Sequence, residues 1–107
     1  MILKLRFKDK EEFDDFFFGP TAEKDKIYDA IVDQIEEAIE MNSESALFAE
    51  VIFKGDPLLI YLTLPHYNWL DSLQNALKYY EGCEDYEKCI DIVNIIKKLD
   101  LTGIKSN

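Results

Sequence analysis

The sequence is poor in the residues that most often build catalytic and metal sites. Among its 107 residues are one histidine, two cysteines and four glycines. So few ligands argue against a zinc site or a disulfide framework, and so few glycines argue against a glycine-rich phosphate loop. The single histidine, His66, has no serine, cysteine or aspartate at a spacing that would make it a catalytic base. We therefore predict no enzymatic activity and no cofactor.

Long apolar runs are also missing. Residues 1–6 alternate between apolar and basic positions instead of forming the apolar core of a signal peptide, and no later stretch reaches the length of a membrane span. Cys83 and Cys89 are six positions apart and are predicted to be two reduced thiols. The sequence thus predicts a cytoplasmic protein with a single domain over residues 1–107.

Positive charge is scarce. The chain has 22 acidic and 12 basic residues, which gives a formal net charge of −10. This balance argues against direct binding to nucleic acid or to an anionic membrane, and it favours fast encounter with cationic partners. The bases are nearly all lysine, and isoleucine, phenylalanine, tyrosine and asparagine are frequent. Such a bias is typical of AT-rich coding DNA and predicts an AT-rich microbe, or one of its phages, as the source.

Apolar periodicity divides the chain into strands and helices in the order β-α-α-β-β-α-α. The strands are predicted at 1–7, 46–54 and 58–64, with a hairpin turn at 55–57. The helices are predicted at 10–18, 21–41, 68–80 and 85–99, followed by a frayed tail at 102–107. Asp9 and Glu12 have the spacing of a capping box, and Thr21 is the expected cap of the second helix.

The strands predict how the sheet is arranged. The first strand has one apolar and one basic face, which is typical of an antiparallel sheet with one solvated side. The third strand is apolar enough to lie at the centre, and a right-handed crossover between the first two strands leaves room for it there. We predict an α+β fold with a three-stranded antiparallel sheet in the order 1-3-2 and the helices packed on one face.

The C-terminal part resembles a known helical motif. Tyr79-Tyr80, Gly82, the run from Asp85 to Lys88, Ile90 and Leu99 are similar to the turn and second helix of a tetratricopeptide-type hairpin. The resemblance covers residues 76–99, as a single copy with Cys89 in place of the usual alanine. It implies an αα-hairpin and a role in protein binding. The apolar stripe predicted for the last helix consists of Tyr86, Cys89, Ile90, Val93, Ile96 and Leu99.

One side of the second helix is uniformly acidic. At about 100° per residue the carboxylates share one arc, which we call the acidic row: Asp25, Asp29, Asp33, Glu36, Glu37 and Glu40. Like charges four positions apart destabilise a helix by a few tenths of a kcal/mol per pair, and anions near a helix C-terminus oppose its dipole. The row is therefore either a solvated helix face or a surface that binds a basic partner.

Aromatic residues give a second set of candidate contacts. Phe13, Phe16 and Phe17 share a helix face and are predicted to lie in the core. Phe18, Tyr67 and Tyr79 are candidates for exposed anchors, because exposed aromatic residues often supply binding affinity.

Together these features predict a small acidic protein-binding module that regulates or inhibits a partner with a basic surface. Two alternatives are left open. The protein is a nucleic-acid mimic that blocks a DNA- or RNA-binding protein, or it is a structural or assembly subunit that forms a homo-oligomer.

Overall fold

The computed structural model describes residues 2–20 and 23–101. The elements are β1 (Leu3–Phe7), α1 (Lys10–Phe18), α2 (Lys24–Glu40), β2 (Ser45–Phe53), β3 (Leu59–Pro65), a 3₁₀ turn (His66–Asn68), α3 (Trp69–Gly82) and α4 (Tyr86–Leu101). The predicted α+β class and element order are confirmed. The N-cap of α1 is also confirmed, because the Glu12 N–H donates to Asp9 Oδ1 at 3.0 Å. The predicted cap Thr21 and the predicted tail lie outside the described residues.

The sheet is mixed, and β2 is its central strand. β1 pairs parallel with β2 on one side, and β3 pairs antiparallel with β2 on the other. The β2–β3 hairpin is confirmed, but the predicted antiparallel sheet in the order 1-3-2 is wrong. The apolarity of β3 suggested the centre, yet β3 has no fully buried residue, whereas β2 buries Ala46, Ala49 and Val51. The two helices between β1 and β2 supply the long crossover that parallel neighbours require.

A bulge shifts the alternation of side chains along β2. The pairing passes from Leu47 opposite Thr63 to Ala49 opposite Leu62, so Phe48 is the extra residue. In a strand without a bulge, the side chains of Leu47 and Ala49 would lie on the same face of the sheet. Because of the bulge, the side chain of Ala49 instead lies on the same face as that of Ala46. This face, the inner face of the sheet, is the one that the helices cover.

The inner face carries two groups of contacts. α2 lies over β2, and the main core joins it to α3 and α4 through Ile35, Ala46, Trp69, Leu73 and Ile92. α1 packs at the opposite end of the sheet, where the rings of Phe13, Phe16 and Phe17 lie 5.4–6.4 Å from the ring of Phe7. These three phenylalanines share a packed face, as their spacing predicts, but they are half-buried, so the prediction that they lie in the core is confirmed only in part.

The other side of the sheet has no helix over it among the described residues. Register and alternation place the following residues on this outer face: Lys4, Arg6, Leu47, Glu50, Ile52, Leu59, Tyr61 and Thr63. The basic residues lie on β1, and β3 contributes exposed apolar side chains. The outer face is thus basic along one edge and apolar along the other.

Candidate functional site

The acidic row of α2 lies alongside α4. Lys88 Nζ is 2.6 Å from Asp29 Oδ1. Lys98 Nζ is 3.0 Å from Glu36 Oε2 and 3.7 Å from Glu40 Oε1. Both lysines belong to α4, so part of the row helps to fix α4 against α2.

Asp29 is held by side chains from two other helices, Tyr80 of α3 and Lys88 of α4. The buried Tyr80 donates its hydroxyl proton to Asp29 Oδ1 at 2.7 Å, with the carbonyl oxygen of Asp25 3.3 Å away as a weaker acceptor. Burial raises the pKa of Tyr80, and the hydrogen bond to Asp29 raises it further. Burial alone would raise the pKa of Asp29, but the hydrogen bonds from Lys88 and Tyr80 outweigh it and lower this pKa. Asp29 is therefore ionised, and its carboxylate links α2 to α3 and α4.

A groove of about 440 Å³ follows the contact between α2 and α4. Its charged lining residues are Asp33, Glu36, Lys88, Asp91 and Lys98. The pKa of Lys88 is raised, first by its hydrogen bond to Asp29 and further by the carboxylates of Asp33 and Asp91. Even with both lysines present, negative charge therefore prevails along this groove.

The members of the row differ in exposure. Asp25, Asp33, Glu37 and Glu40 are exposed, whereas Asp29 and Glu36 are half-buried. The row thus has four exposed members and two that are half-buried beside α4, and the exposed Glu40 also lies 3.7 Å from Lys98.

The three candidate aromatic anchors do not form one site. Phe18 is 80% exposed at the end of α1, Tyr67 is 55% exposed in the 3₁₀ turn, and Tyr79 is half-buried, with its ring 5.1 Å from that of Tyr28. Phe18 follows the aromatic cluster at the Phe53 end of β2, and Tyr67 lies beyond the Ser45 end. The two ends of a nine-residue strand are roughly 25 Å apart. The partner-binding role of these residues and of the acidic row stays a prediction.

The apolar surface of α4 differs from the prediction. The structure buries Ile92, Ile95 and Leu99, whereas Tyr86 is 63%, Ile90 62% and Val93 38% exposed. α4 thus has a second apolar stripe on its solvent side. The sequence contained a signal for it, because apolar residues surround most of this helix and only one side packs on α2 and α3.

Sequence reasoning also missed the docking lysines and an exposed strand. Lys88 and Lys98 were not predicted to contact the acidic row, because the crossing of α2 and α4 has no signature in either helix. Leu58, directly before β3, continues into Leu59, Ile60 and Tyr61 of the strand as one exposed apolar run. Its signal was the apolarity that suggested a central strand.

Other kinds of site find little support in the part of the chain that the structure describes. Within residues 2–20 and 23–101 no three His, Cys, Asp or Glu side chains are grouped to hold a metal ion. None of the described helices has the length and apolarity to span a membrane. Comparison of the chain with protein-family models, with curated proteins and with solved structures finds no match.

Proposed function

We propose that the protein is an acidic protein-binding module whose α2–α4 face receives a basic surface of a partner that it regulates or inhibits. One observation carries the proposal, namely the excess of negative charge on this face. Five of the six acidic-row carboxylates, from Asp29 to Glu40, together with Asp91 make six acids against Lys88 and Lys98. The formal charge of this set of eight residues is −4, which favours a cationic partner. Such complementarity raises the rate of association and selects the partner by charge.

The internal lysine contacts do not close this face to a partner. The side chains of Lys98 and Glu36 are 45% and 39% exposed, so their ion pair lies at the surface. Surface pairs of this kind contribute about 0–1 kcal/mol. A guanidinium group of the partner binds a carboxylate in a bidentate manner and can displace the lysine at little cost.

The nucleic-acid mimic is a narrower version of the same proposal. A mimic needs an uninterrupted row of anions. Lys88 and Lys98 contact this row from the side, which favours a general basic surface over a nucleic-acid groove as the target. Cytoplasmic location and a phage origin remain proposals from composition alone.

The structure improves the choice of variants for a test. Asp29 and Glu36 make the shortest contacts with the α4 lysines, so replacing them would affect folding as well as binding, whereas Glu40 lies farther from Lys98, at 3.7 Å. Asp33→Asn, Glu37→Gln and Glu40→Gln remove three charges from exposed row positions. The matched control Asp14→Asn, Asp15→Asn and Glu44→Gln removes three exposed charges elsewhere.

The measurement is capture of partners from the source organism with tagged protein, identified by mass spectrometry. We expect a partner that the wild-type chain and the control retain and that the row variant loses. The association rate of that purified partner should fall at least tenfold with the row variant and decrease with added salt. Equal capture by both variants would show that the row is only a solvated helix face.

A further inference from the structure

β3 forms an edge of the sheet that no other strand covers within residues 2–20 and 23–101. Among the described residues it pairs only with β2, and an exposed apolar run begins at Leu58, one residue before the strand, and continues to Tyr61. β1, the other edge, carries Lys4 and Arg6, and such charges discourage pairing with further strands. No charged residue occurs between Pro57 and Pro65. An apolar edge without charges is a template for another strand.

The backbone groups of this edge can be identified. The N–H of His66 donates to the carbonyl oxygen of Glu44 at 2.8 Å, next to the pairing of Pro65 with Ser45. Backbone groups alternate between the two sides of a strand, so the even-numbered residues of β3 face β2. Leu59, Tyr61 and Thr63 therefore direct their N–H and C=O groups to the open edge.

These groups are arranged symmetrically about Tyr61. An antiparallel copy centred there would pair Leu59 with Thr63 of the other copy and Tyr61 with Tyr61. Every N–H of the open edge would then find an acceptor, with about six new hydrogen bonds. Pro57 and Pro65, which have no N–H, are also equidistant from Tyr61 and would lie opposite each other.

We propose that two copies of the chain pair through β3 about Tyr61, which joins their sheets into one sheet of six strands. The occupant is a second copy because the edge carries no charge from Leu58 to Leu64 and is mostly apolar. A basic or acidic segment would find no charge to pair with there. The chain itself supplies a neutral strand whose donors and acceptors match. In the joined sheet the outer-face side chains of Leu59 and Tyr61 meet those of the other copy, and both new edges are the basic β1 strands.

Engineered cysteines test the register. In a background with Cys83→Ser and Cys89→Ala, Tyr61→Cys places two thiols across the two-fold axis. The paired Cα atoms would be about 5.5 Å apart, within the range of a disulfide. Leu59→Cys is the matched control, because two copies of residue 59 would lie roughly 13 Å apart along the strands.

We expect mild oxidation to form a covalent dimer of Tyr61→Cys at least tenfold faster than of Leu59→Cys. A mixture of Leu59→Cys and Thr63→Cys chains should form the mixed dimer. Equal rates for Tyr61→Cys and Leu59→Cys would refute the register.

Sedimentation velocity from about 1 to 200 µM tests the dimer in the wild-type chain. We expect a dimer that dissociates on dilution, and Tyr61→Lys should raise its Kd at least tenfold. Ile90→Lys also introduces a lysine at an exposed apolar position, but on α4, and should leave the Kd within twofold of the wild-type value. A chain that is monomeric at every concentration would overturn the proposal. So would dissociation by Ile90→Lys but not by Tyr61→Lys, which would place the contact on α4.

Discussion

At the scale of single residues, the acidic row is not uniform. Asp29 accepts hydrogen bonds from Tyr80 and Lys88, whereas Asp25 lies exposed on the preceding turn. The sequence identifies both as members of one arc, because rotation along the helix is regular. It could not distinguish them, because Tyr80 and Lys88 come from helices more than fifty residues later. Asp29 therefore has a structural role whatever the row binds.

Removing the Tyr80 hydroxyl tests this role. Tyr80→Phe should lower the free energy of unfolding by about 1–2 kcal/mol, since it removes a hydrogen bond to a charged group from a buried side chain. Urea denaturation measures the change. Tyr86→Phe is the matched control, because Tyr86 is exposed and its hydroxyl should contribute almost nothing. An equal loss in both variants would contradict the assignment.

The same variant gives the prediction a pH signature. Because the folded pKa of Asp29 is lowered, its stabilisation is fully present above the ordinary pKa of 3.8. It is lost as the pH falls through the lower folded pKa. Tyr80→Phe removes one cause of the lowered pKa, so the acid-dependent loss of stability should be smaller than in the wild-type protein. Identical pH dependence would show that Lys88 alone sets the pKa.

At the scale of elements, α2 and α3 end in the same backbone motif. At the end of α2, the N–H groups of Asn42 and Ser43 donate hydrogen bonds to the carbonyl oxygens of Ile39 and Ala38, respectively. At the end of α3, those of Glu84 and Asp85 donate to the carbonyl oxygens of Glu81 and Tyr80. This Schellman pattern requires a left-handed residue, and these are Asn42 at φ 54° and Glu84 at φ 59°. Asparagine adopts this conformation readily and glutamate does not. The glycine of this connection, Gly82, lies two residues earlier, inside α3.

Exchanging Gly82 and Glu84 should place the glycine at the left-handed position and the glutamate in the helix. The double variant Gly82→Glu, Glu84→Gly keeps the composition and should raise the free energy of unfolding by about 1–2 kcal/mol. Glycine removes the strain at position 84, and a side chain at position 82 favours the helix. A Cβ atom at Gly82 meets nothing within 4 Å. Thermal and urea denaturation check the change, with Glu81→Gly as the destabilising control. No gain would show that Glu84 is not strained.

The elements also show where sequence reasoning ends. Element type and position are local properties, and each predicted strand and helix begins and ends within three residues of the observed one. Which apolar side becomes buried depends on the neighbours. Ile90 and Ile92 have equal apolarity, yet only Ile92 faces α2 and α3. In the same way β3 has the composition of a central strand and lies at the edge, because β2 takes the place between β1 and β3.

At the scale of the whole molecule, the candidate contacts lie in different places. The acidic row lies alongside α4, Phe18 and Tyr67 lie near opposite ends of β2, and the open edge of β3 belongs to the sheet. The sequence predicted that the acidic row, Phe18 and Tyr67 bind one partner, because they were identified by composition without their positions, and it did not predict the open edge of β3. The structure instead separates a charged helical surface from an apolar sheet edge. Charge recognition and self-association can therefore be tested independently.

The net charge predicts how salt affects stability. Repulsion among the 22 acids opposes folding, whereas the pairs of Lys88 and Lys98 favour it. Surface pairs contribute about 0–1 kcal/mol each, and a net charge of −10 acts over the whole surface. Added salt should therefore weaken the repulsion among the acids more than it weakens the attraction in the lysine pairs. Raising sodium chloride from about 10 to 300 mM should raise the free energy of unfolding by about 1 kcal/mol.

Urea denaturation at each salt concentration, with the chain dilute enough to be monomeric, measures this effect. The variant Asp33→Asn, Glu37→Gln, Glu40→Gln has a net charge of −7, three less negative than −10, and should show a smaller rise. Lys98→Met provides the opposite control. It removes a stabilising pair and adds to the net negative charge, so its response to salt should be larger than that of the wild-type protein. If stability instead falls with salt, the lysine contacts of α4 outweigh the repulsion. The main role of the acidic row would then be structural, because its contacts with the α4 lysines would stabilise the fold by more than the repulsion among its carboxylates destabilises it.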